Sequence, residues 1–504
     1  MNDKVLFWID SGLAHFFIAK ILKEEYDCDL FAIYDLNEAK KYFQNQKLVD
    51  FEKIWFYRDF LQKNNLKKPD LKYLSEFEKK YEINLWNVVY SDINFNEHNI
   101  FYKFQKNEIL SILEQECKFF ELVLDEINPD YLIIRMTDYS QNQIIQMMCK
   151  KRGVRVLTIN HSRFGYRTII SQDTDFLDDD LIEEVKSNNK RSFEELLDVI
   201  RDYSNQQIDF RKKYQNSYIK KIFAILKFLR ISFKEEYKLF FGNFGKTIFN
   251  VTKNEVNIFF KKKYRQAFLN KNALKNFKKE SFVYFPLHLQ PERSTLILAS
   301  FCTDQIEMVK RIAKSIPIDY KLYVKEHPMQ AIHGWRNSSF YKEILEIPNV
   351  ELIHPTIKNE EMIKKCDLVT TITGTGGLEA AFYRKPSIVF ANVIYSSLKS
   401  VCIIQNFEEM PKKIREALNF SVDKNDVNKY VDLIMKNSFK LDLSGVFYSL
   451  IDNYFYNGGY LKESQITENE MNQFLENSKK YFEIPAKEHI KIIKKLKRSK
   501  KEKS

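Results

Sequence analysis

Short apolar runs separated by turn residues recur along this chain, the pattern of strands buried on both faces of a parallel sheet. Val5 to Ile9 is the first run, ending at Asp10-Ser11-Gly12. Leu13, Phe16, Phe17, Ile21 and Leu22 then fall at helical spacing, and Leu30 to Tyr34 makes a second run. Pro129-Asp130 introduces Tyr131 to Ile134, a helix is predicted from about Gln141 to Lys151, and Gly153 breaks it before Val154 to Ile159. Residues 35–128 have mainly helical patterning, with aromatic stretches such as Ile54-Trp55-Phe56-Tyr57 that periodicity does not assign.

The alternation resumes at Ser281. Ser281 to Phe285 reads as a strand, Asp304 to Ser315 as a helix, Lys321 to Lys325 and Val350 to Ile353 as strands, and Glu360 to Lys365 as a short helix. Next comes Thr370-Thr371-Ile372-Thr373-Gly374-Thr375-Gly376-Gly377-Leu378-Glu379-Ala380-Ala381, a β-branched strand, a glycine turn and a helix, followed after Lys385-Pro386 by the strand Ser387 to Phe390. Repeated strand-loop-helix units predict two α/β domains of Rossmann type, at 1–180 and 281–405. Between them 181–280 reads as a helical insertion; helices over 406–486 and a short tail, 487–504, complete the chain.

Such sheets bind ligands beyond the C-terminal ends of their strands. In the first domain that edge receives Asp10, His15, Asp138 and the run Asn160-His161-Ser162-Arg163-Phe164-Gly165-Tyr166-Arg167. In the second it receives three loops: His288 to Thr295, Lys325-Glu326-His327-Pro328, and Thr373 to Gly377. Glycines let an anion approach backbone N–H groups at a helix start, and Arg293, Lys325 and His327 supply polar or cationic donors suited to a phosphate ester. Glu326 is equally an ion-paired carboxylate, Asp10 also suits a helix cap, and Asp138 a turn.

Composition narrows the class. A chain of 504 residues with 44% hydrophobic and 15% aromatic content buries sizeable cores. Its N-terminus lacks the basic and apolar regions of a signal peptide, and no apolar run reaches the roughly 18 residues of a membrane span, so a cytoplasmic protein is expected. The six cysteines stand singly, without zinc-site spacing, so neither a metal nor another cofactor is expected.

The net charge of +12 is uneven. Residues 209–280 hold 19 Lys and Arg against 5 Asp and Glu, and 487–504 hold 9 against 2. Phe210, Tyr214, Tyr218, Ile222, Phe223, Ile225, Leu226 and Leu229 are threaded among the first set of lysines; Ile490, Ile493 and Leu496 line one face of the second. Basic amphipathic segments of this kind suit an anionic membrane surface, whereas no nucleic-acid motif accompanies them.

Pro286-Leu287-His288-Leu289-Gln290-Pro291-Glu292, Tyr323-Val324-Lys325-Glu326-His327-Pro328 and Ile372-Thr373-Gly374-Thr375-Gly376-Gly377-Leu378-Glu379-Ala380, in that order, resemble bacterial capsule and surface-polysaccharide biosynthesis proteins, including relatives of Kdo transferases. The resemblance implies a GT-B glycosyltransferase, two Rossmann-like domains facing across a cleft. The C-terminal one would bind a nucleotide sugar and the N-terminal one a glycan or glycolipid acceptor, on the inner face of the cytoplasmic membrane. It further implies a phosphate contact for His327, a phosphate or nucleotide contact for Thr373, Gly374, Thr375, Gly376 and Gly377, and a ribose or sugar contact for Glu379. His288, Gln290, Glu292, Arg293, Lys325, Glu326 and Pro328 complete the expected donor site. Where such transferases carry a Glu-Asp-Gly element, this chain reads Asn160 to Gly165, so the base falls among Asp10, Asp138 and His161. A teichoic-acid-type polyol-phosphate transferase and a noncatalytic glycan-binding scaffold share these features.

Overall fold

The computed structural model describes residues 2–36, 39–63, 68–136, 138–174, 176–183, 185, 189–200, 226, 228–330, 336–443, 450–451, 454–455 and 466–503. Its strands, in chain order, are β1 (Asp3–Asp10), β2 (Cys28–Asp35), β3 (Lys53–Phe56), β4 (Tyr131–Ile133), β5 (Arg155–His161), β6 (Arg167–Ser171), β7 (Phe282–Pro286), β8 (Lys321–Lys325), β9 (Val350–Ile353), β10 (Leu368–Thr371), β11 (Ser387–Val389), β12 (Val401–Ile403) and β13 (Phe439–Lys440). They belong to two units interleaved along the chain. The first takes the described residues within 1–183, 203–248 and 437–504, the second those within 184–202 and 249–436.

The first unit's sheet has the order β13-β6-β5-β4-β1-β2-β3. β1 to β5 are parallel, and β6 and β13 are antiparallel additions at one side. The chain winds outward from β1 to β3, then returns to the other side of β1 for β4, so winding reverses between β1 and β4. Successive β1 side chains point to opposite faces. Val5, Phe7 and Ile9 join one core with Phe16, Phe17 and Leu22; Leu6 and Trp8 join another with Tyr57, Phe120 and Val123. Burial on both faces is why this strand reads as an unbroken apolar run.

The second unit's sheet, β12-β11-β10-β7-β8-β9, is parallel throughout. Val283 and Phe285 of β7 enter one core, Phe282 and Tyr284 the other. Here winding reverses between β7 and β10. Both units are therefore doubly wound α/β structures, as the strand-helix alternation predicts.

Ile54-Trp55-Phe56 proves to be most of β3, a four-residue edge strand too short for periodicity to show, and Tyr57 begins a helix. The run from Asn160 is a hairpin. Arg163 (φ 64°) and Gly165 (φ 45°) turn the chain back, and β6 returns alongside β5. The C-terminal segment is one helix, Glu468–Lys503, with Pro485 inside it. Its Phe474 and Phe482 pack on Phe17, with ring centroids 4.9 and 4.8 Å apart. Ile490, Ile493 and Leu496 are buried in the same core, and Lys497 pairs with Asp3 at 2.7 Å. This corrects the expectation for 487–504: its apolar stripe lies in the first unit's core and offers no apolar face to a membrane.

Of the basic insertion, Phe210, Tyr214, Tyr218, Ile222, Phe223 and Ile225 lie outside the described residues. Its later part forms the helix Ile248–Asn272. Among the described residues no helix is long and apolar enough to cross a membrane.

Candidate functional site

Because β7, β8 and β10 are adjacent and parallel, the loops that follow them leave the second unit's sheet at one edge. His288, two residues past β7, is buried, and its Nε2 lies 3.0 Å from Thr371 Oγ1 at the end of β10. The same nitrogen accepts the backbone N–H groups of Ile372 (3.1 Å) and Thr373 (3.4 Å). An Nε2 that accepts two amide protons belongs to a neutral ring protonated at Nδ1. His288 thus ties β7 to the glycine loop at the point where winding reverses, where ligands of doubly wound sheets bind.

The glycine loop is shaped largely by the protein. Gly374 N–H donates to Thr371 Oγ1 at 3.1 Å, and a Cβ on Gly374 would stand 2.7 Å from that oxygen and 3.1 Å from His288 Cε1. A Cβ on Gly377 would meet the Tyr395 hydroxyl at 2.9 Å. Close approach by neighbouring side chains therefore accounts for both glycines. The amides of Ile372 and Thr373 are taken up by His288 and that of Gly374 by Thr371, and Thr373 is buried. Gly374 and Thr375 are half-buried at the head of the helix Gly376–Phe382.

The β8 loop divides its residues. Glu326 is buried and accepts Arg336 Nη1 at 2.5 Å and the Tyr341 hydroxyl, while Arg336 Nη2 donates to the His288 carbonyl. Glu326 is consequently an interior ion pair joining the β7 and β8 loops, with no side chain turned to solvent. His327 beside it is half-buried. Its Nδ1 accepts the Met329 N–H at 3.2 Å, which puts the neutral ring's proton on Nε2. Lys325 is buried at the strand end.

Gln290 is also spent internally, its Nε2 donating to the Thr303 carbonyl (2.6 Å) and its backbone N–H to Gln330 Oε1 (3.1 Å). Glu292 and Pro328 are exposed, and Arg293 is half-buried. Of the residues expected to bind a donor, His288, Gln290 and Glu326 build the edge, whereas Arg293, His327, Gly374 and Thr375 retain accessible surface there.

Glu379, in the first turn of the glycine-loop helix, accepts Asn359 Nδ2 at 3.1 Å. Burial pushes its carboxyl up to about 7, partly offset by Asn359, Thr375 and the Lys325 ammonium. The folded state then holds this proton more tightly than the unfolded chain, whose ordinary value is 4.5. The resulting stability is complete below that value and is lost as pH rises through about 7. Glu379→Gln should flatten this limb of a plot of denaturation midpoint against pH between 5 and 8. A variant whose midpoint falls as steeply as the wild type's would contradict the assignment.

At the equivalent reversal in the first unit, between β1 and β4, Asp10 Oδ2 lies 3.1 Å from Arg135 Nη2 and Asp10 Oδ1 accepts the Gly12 N–H at 2.9 Å. Gly12 carries no side chain because a Cβ would stand 2.8 Å from that oxygen. Asp138 is half-buried in the loop after β4, and His161, also half-buried, closes β5 one strand further out. His15 is different: burial holds it down to about 4, and its Nδ1 faces the Trp8 carbonyl at 3.1 Å, so it is a neutral core histidine.

Sequence reading missed several groups here. Asp35 at the end of β2 pairs with Arg58 at 2.7 Å. Beneath them Glu116 is fully buried, accepting the Tyr57 hydroxyl (2.6 Å) and Ser140 Oγ (3.0 Å), and burial raises its carboxyl to about 8. Asp92 accepts the Ser140 amide at 2.6 Å and is raised to about 6 by burial. No sequence signal separated these from ordinary helical and strand residues. Among the described residues, no three His, Cys, Asp or Glu side chains gather as a metal site.

Fold and site together define the class: two doubly wound α/β units, each with polar side chains at its winding reversal. Residues 247–399, which carry β7 to β11 and all three loops, match the family described as capsule polysaccharide biosynthesis protein, the resemblance that the three motifs carry. No curated protein matches the chain. Solved structures similar to it include UDP-GlcNAc 2-epimerase from Methanocaldococcus jannaschii (13% identity, TM-score 0.25, covering 86% of this chain and 99% of that one). Another is Thermosulfurimonas dismutans KpsC, a β-Kdo 2,7 transferase (11% identity, TM-score 0.30, covering 63% and 80%). A third is the N-terminal domain of Candida albicans trehalose-6-phosphate phosphatase (12% identity, TM-score 0.30, covering 90% and 97%). At these identities and TM-scores the likenesses bear on neither activity nor ligand.

Proposed function

We propose that the protein is a glycosyltransferase of capsule or surface-polysaccharide synthesis, taking a sugar from a nucleotide donor held at the second unit's loop edge. The observation that supports it most is the meeting of the three motif loops at the β7–β10 reversal, within the residues matched by the capsule family. An activated acidic sugar on CMP is the donor that the motif resemblance favours.

In this reading the departing nucleotide phosphate gains charge as the glycosidic bond breaks. His327, donating through Nε2, and the Lys325 ammonium stabilise that charge. Gly374 and Thr375 lie against the phosphate, and Glu379 contacts the ribose or sugar. His288 and the Glu326–Arg336 pair act as positioning residues.

The acceptor hydroxyl needs a base. Of Asp10, Asp138 and His161, Asp10 stands at the first unit's winding reversal, with Arg135 and the Gly12 amide fixing its carboxylate, and it is the base we favour. Asp10→Asn should lower kcat about 10²- to 10⁴-fold, leaving nucleotide affinity unchanged by calorimetry. Full turnover in that variant would pass the role to Asp138 or His161. A nucleotide-sugar enzyme of this kind works in the cytoplasm, and a glycolipid acceptor would bring it to the inner membrane face.

A further inference from the structure

The helix Ile248–Asn272 has two unlike faces. On one, Arg265 and Leu269 are buried, Arg265 Nη1 donates to the Gln330 carbonyl at 2.8 Å, and Phe268 stacks on Tyr341 with centroids 6.3 Å apart. These contacts fasten the helix to the second unit. On the other face, Phe249 is 73% exposed, Val256 50%, Phe260 63% and Tyr264 60%.

At 3.6 residues per turn these four side chains fall within an arc of roughly 80°, on the side away from buried Arg265 and Leu269. Lys253, Lys263 and Lys271 share or border the arc, with Lys261 flanking it; Glu255, the helix's single acid, lies away from it. Lys263 Nζ sits 4.5 Å from the ring centre of Phe259, itself 53% exposed. A buried packing face would carry apolar residues without the lysines, and a solvated face would carry lysines without three exposed aromatic rings.

We infer that this face docks on a bilayer carrying anionic headgroups, its rings entering the interface and its lysines meeting phosphate oxygens. Charge complementarity selects that occupant: a second copy of the chain would set lysine against lysine. The inference narrows the membrane surface to one helix face. It draws on the proposed function only for why a membrane would matter, since a lipid-borne acceptor would be found there.

The test is co-sedimentation of the full chain with phosphatidylcholine vesicles, with and without about 30 mol% phosphatidylglycerol. Binding is expected to the anionic vesicles alone and to weaken as salt rises. Phe249→Ser, Phe260→Ser and Tyr264→Ser combined should cut the bound fraction about tenfold, while Lys491→Gln with Lys494→Gln in the C-terminal helix should change it less than about twofold. Phe260→Trp, which keeps the face intact, should show blue-shifted fluorescence with anionic vesicles only. Unchanged binding by the triple variant, no shift for Phe260→Trp, or a dimer or RNA complex that the triple variant abolishes would each overturn the inference. Turnover of a soluble acceptor, measured in parallel, separates the two claims. Retained turnover with no vesicle binding removes the docking surface alone, and vesicle binding without turnover removes the enzymatic reading alone.

Discussion

Replacing Arg336 by alanine should destabilise the second unit by about 3–5 kcal/mol, read as a shift in its denaturant midpoint. Glu326 is buried, with Oε1 accepting from Arg336 and the His327 amide and Oε2 from Tyr341, and removing the guanidinium leaves the interior carboxylate without its counter-charge. The loss also removes the Arg336 Nη2 donor from the His288 carbonyl, which Gln305 Nε2 continues to hold. Because His288 in turn organises the glycine loop, donor affinity should fall along with stability. Arg336→Met with Glu326→Gln removes both charges and should recover at least half of the lost stability without recovering donor affinity. Recovery of affinity by the double variant would show that the pair does not position the loop. An Arg336→Ala protein of wild-type stability would show that the pair carries little of the fold.

His327→Ala should abolish donor turnover, by about 10³-fold or more, with the far-ultraviolet circular dichroism unchanged. The ring is half-buried, and its Nδ1 accepts the Met329 amide within its own turn. The proton on Nε2 is the group proposed to meet the departing phosphate. His327→Gln, which keeps a side-chain N–H donor, should retain more activity than the alanine variant. Equal activity of wild type and His327→Ala would remove the residue from the mechanism.

The residues legible in the sequence were those whose role follows from local pattern. β1, β7, β8 and β10 are buried on both faces, so each is a run of mainly apolar or β-branched residues, and the residues just beyond them mark the functional edge. That logic located Asp10, His288, Lys325, His327 and the glycine loop. It did not say which side chains would turn inward. Glu326 and His327 are neighbours, yet one is an interior ion pair and the other is half-buried, because Arg336, ten residues on, reaches back to the first alone.

Arg336 and Arg135 have no local signal. Arg135 is set by Asp10 at the end of another strand, and Arg336 by Glu326 ten residues before it. The glycines were legible as glycines, but the cause differs from that expected: Thr371, His288 and Tyr395 crowd Gly374 and Gly377. At the C-terminus, Ile490, Ile493 and Leu496 read as an amphipathic stripe, and the amphipathic pattern is identical whether the stripe meets lipid or, as here, the core around Phe17.

The most direct test of the glycosyltransferase reading is mass spectrometry of the products formed by the purified chain from CMP-, CDP-, UDP- and GDP-linked donors with a capsular oligosaccharide acceptor. One donor should add a single glycosyl residue to the acceptor, and His327→Ala should abolish that mass gain. Addition of a polyol phosphate instead, or calorimetric glycan binding with no nucleotide binding and no mass gain, would contradict it.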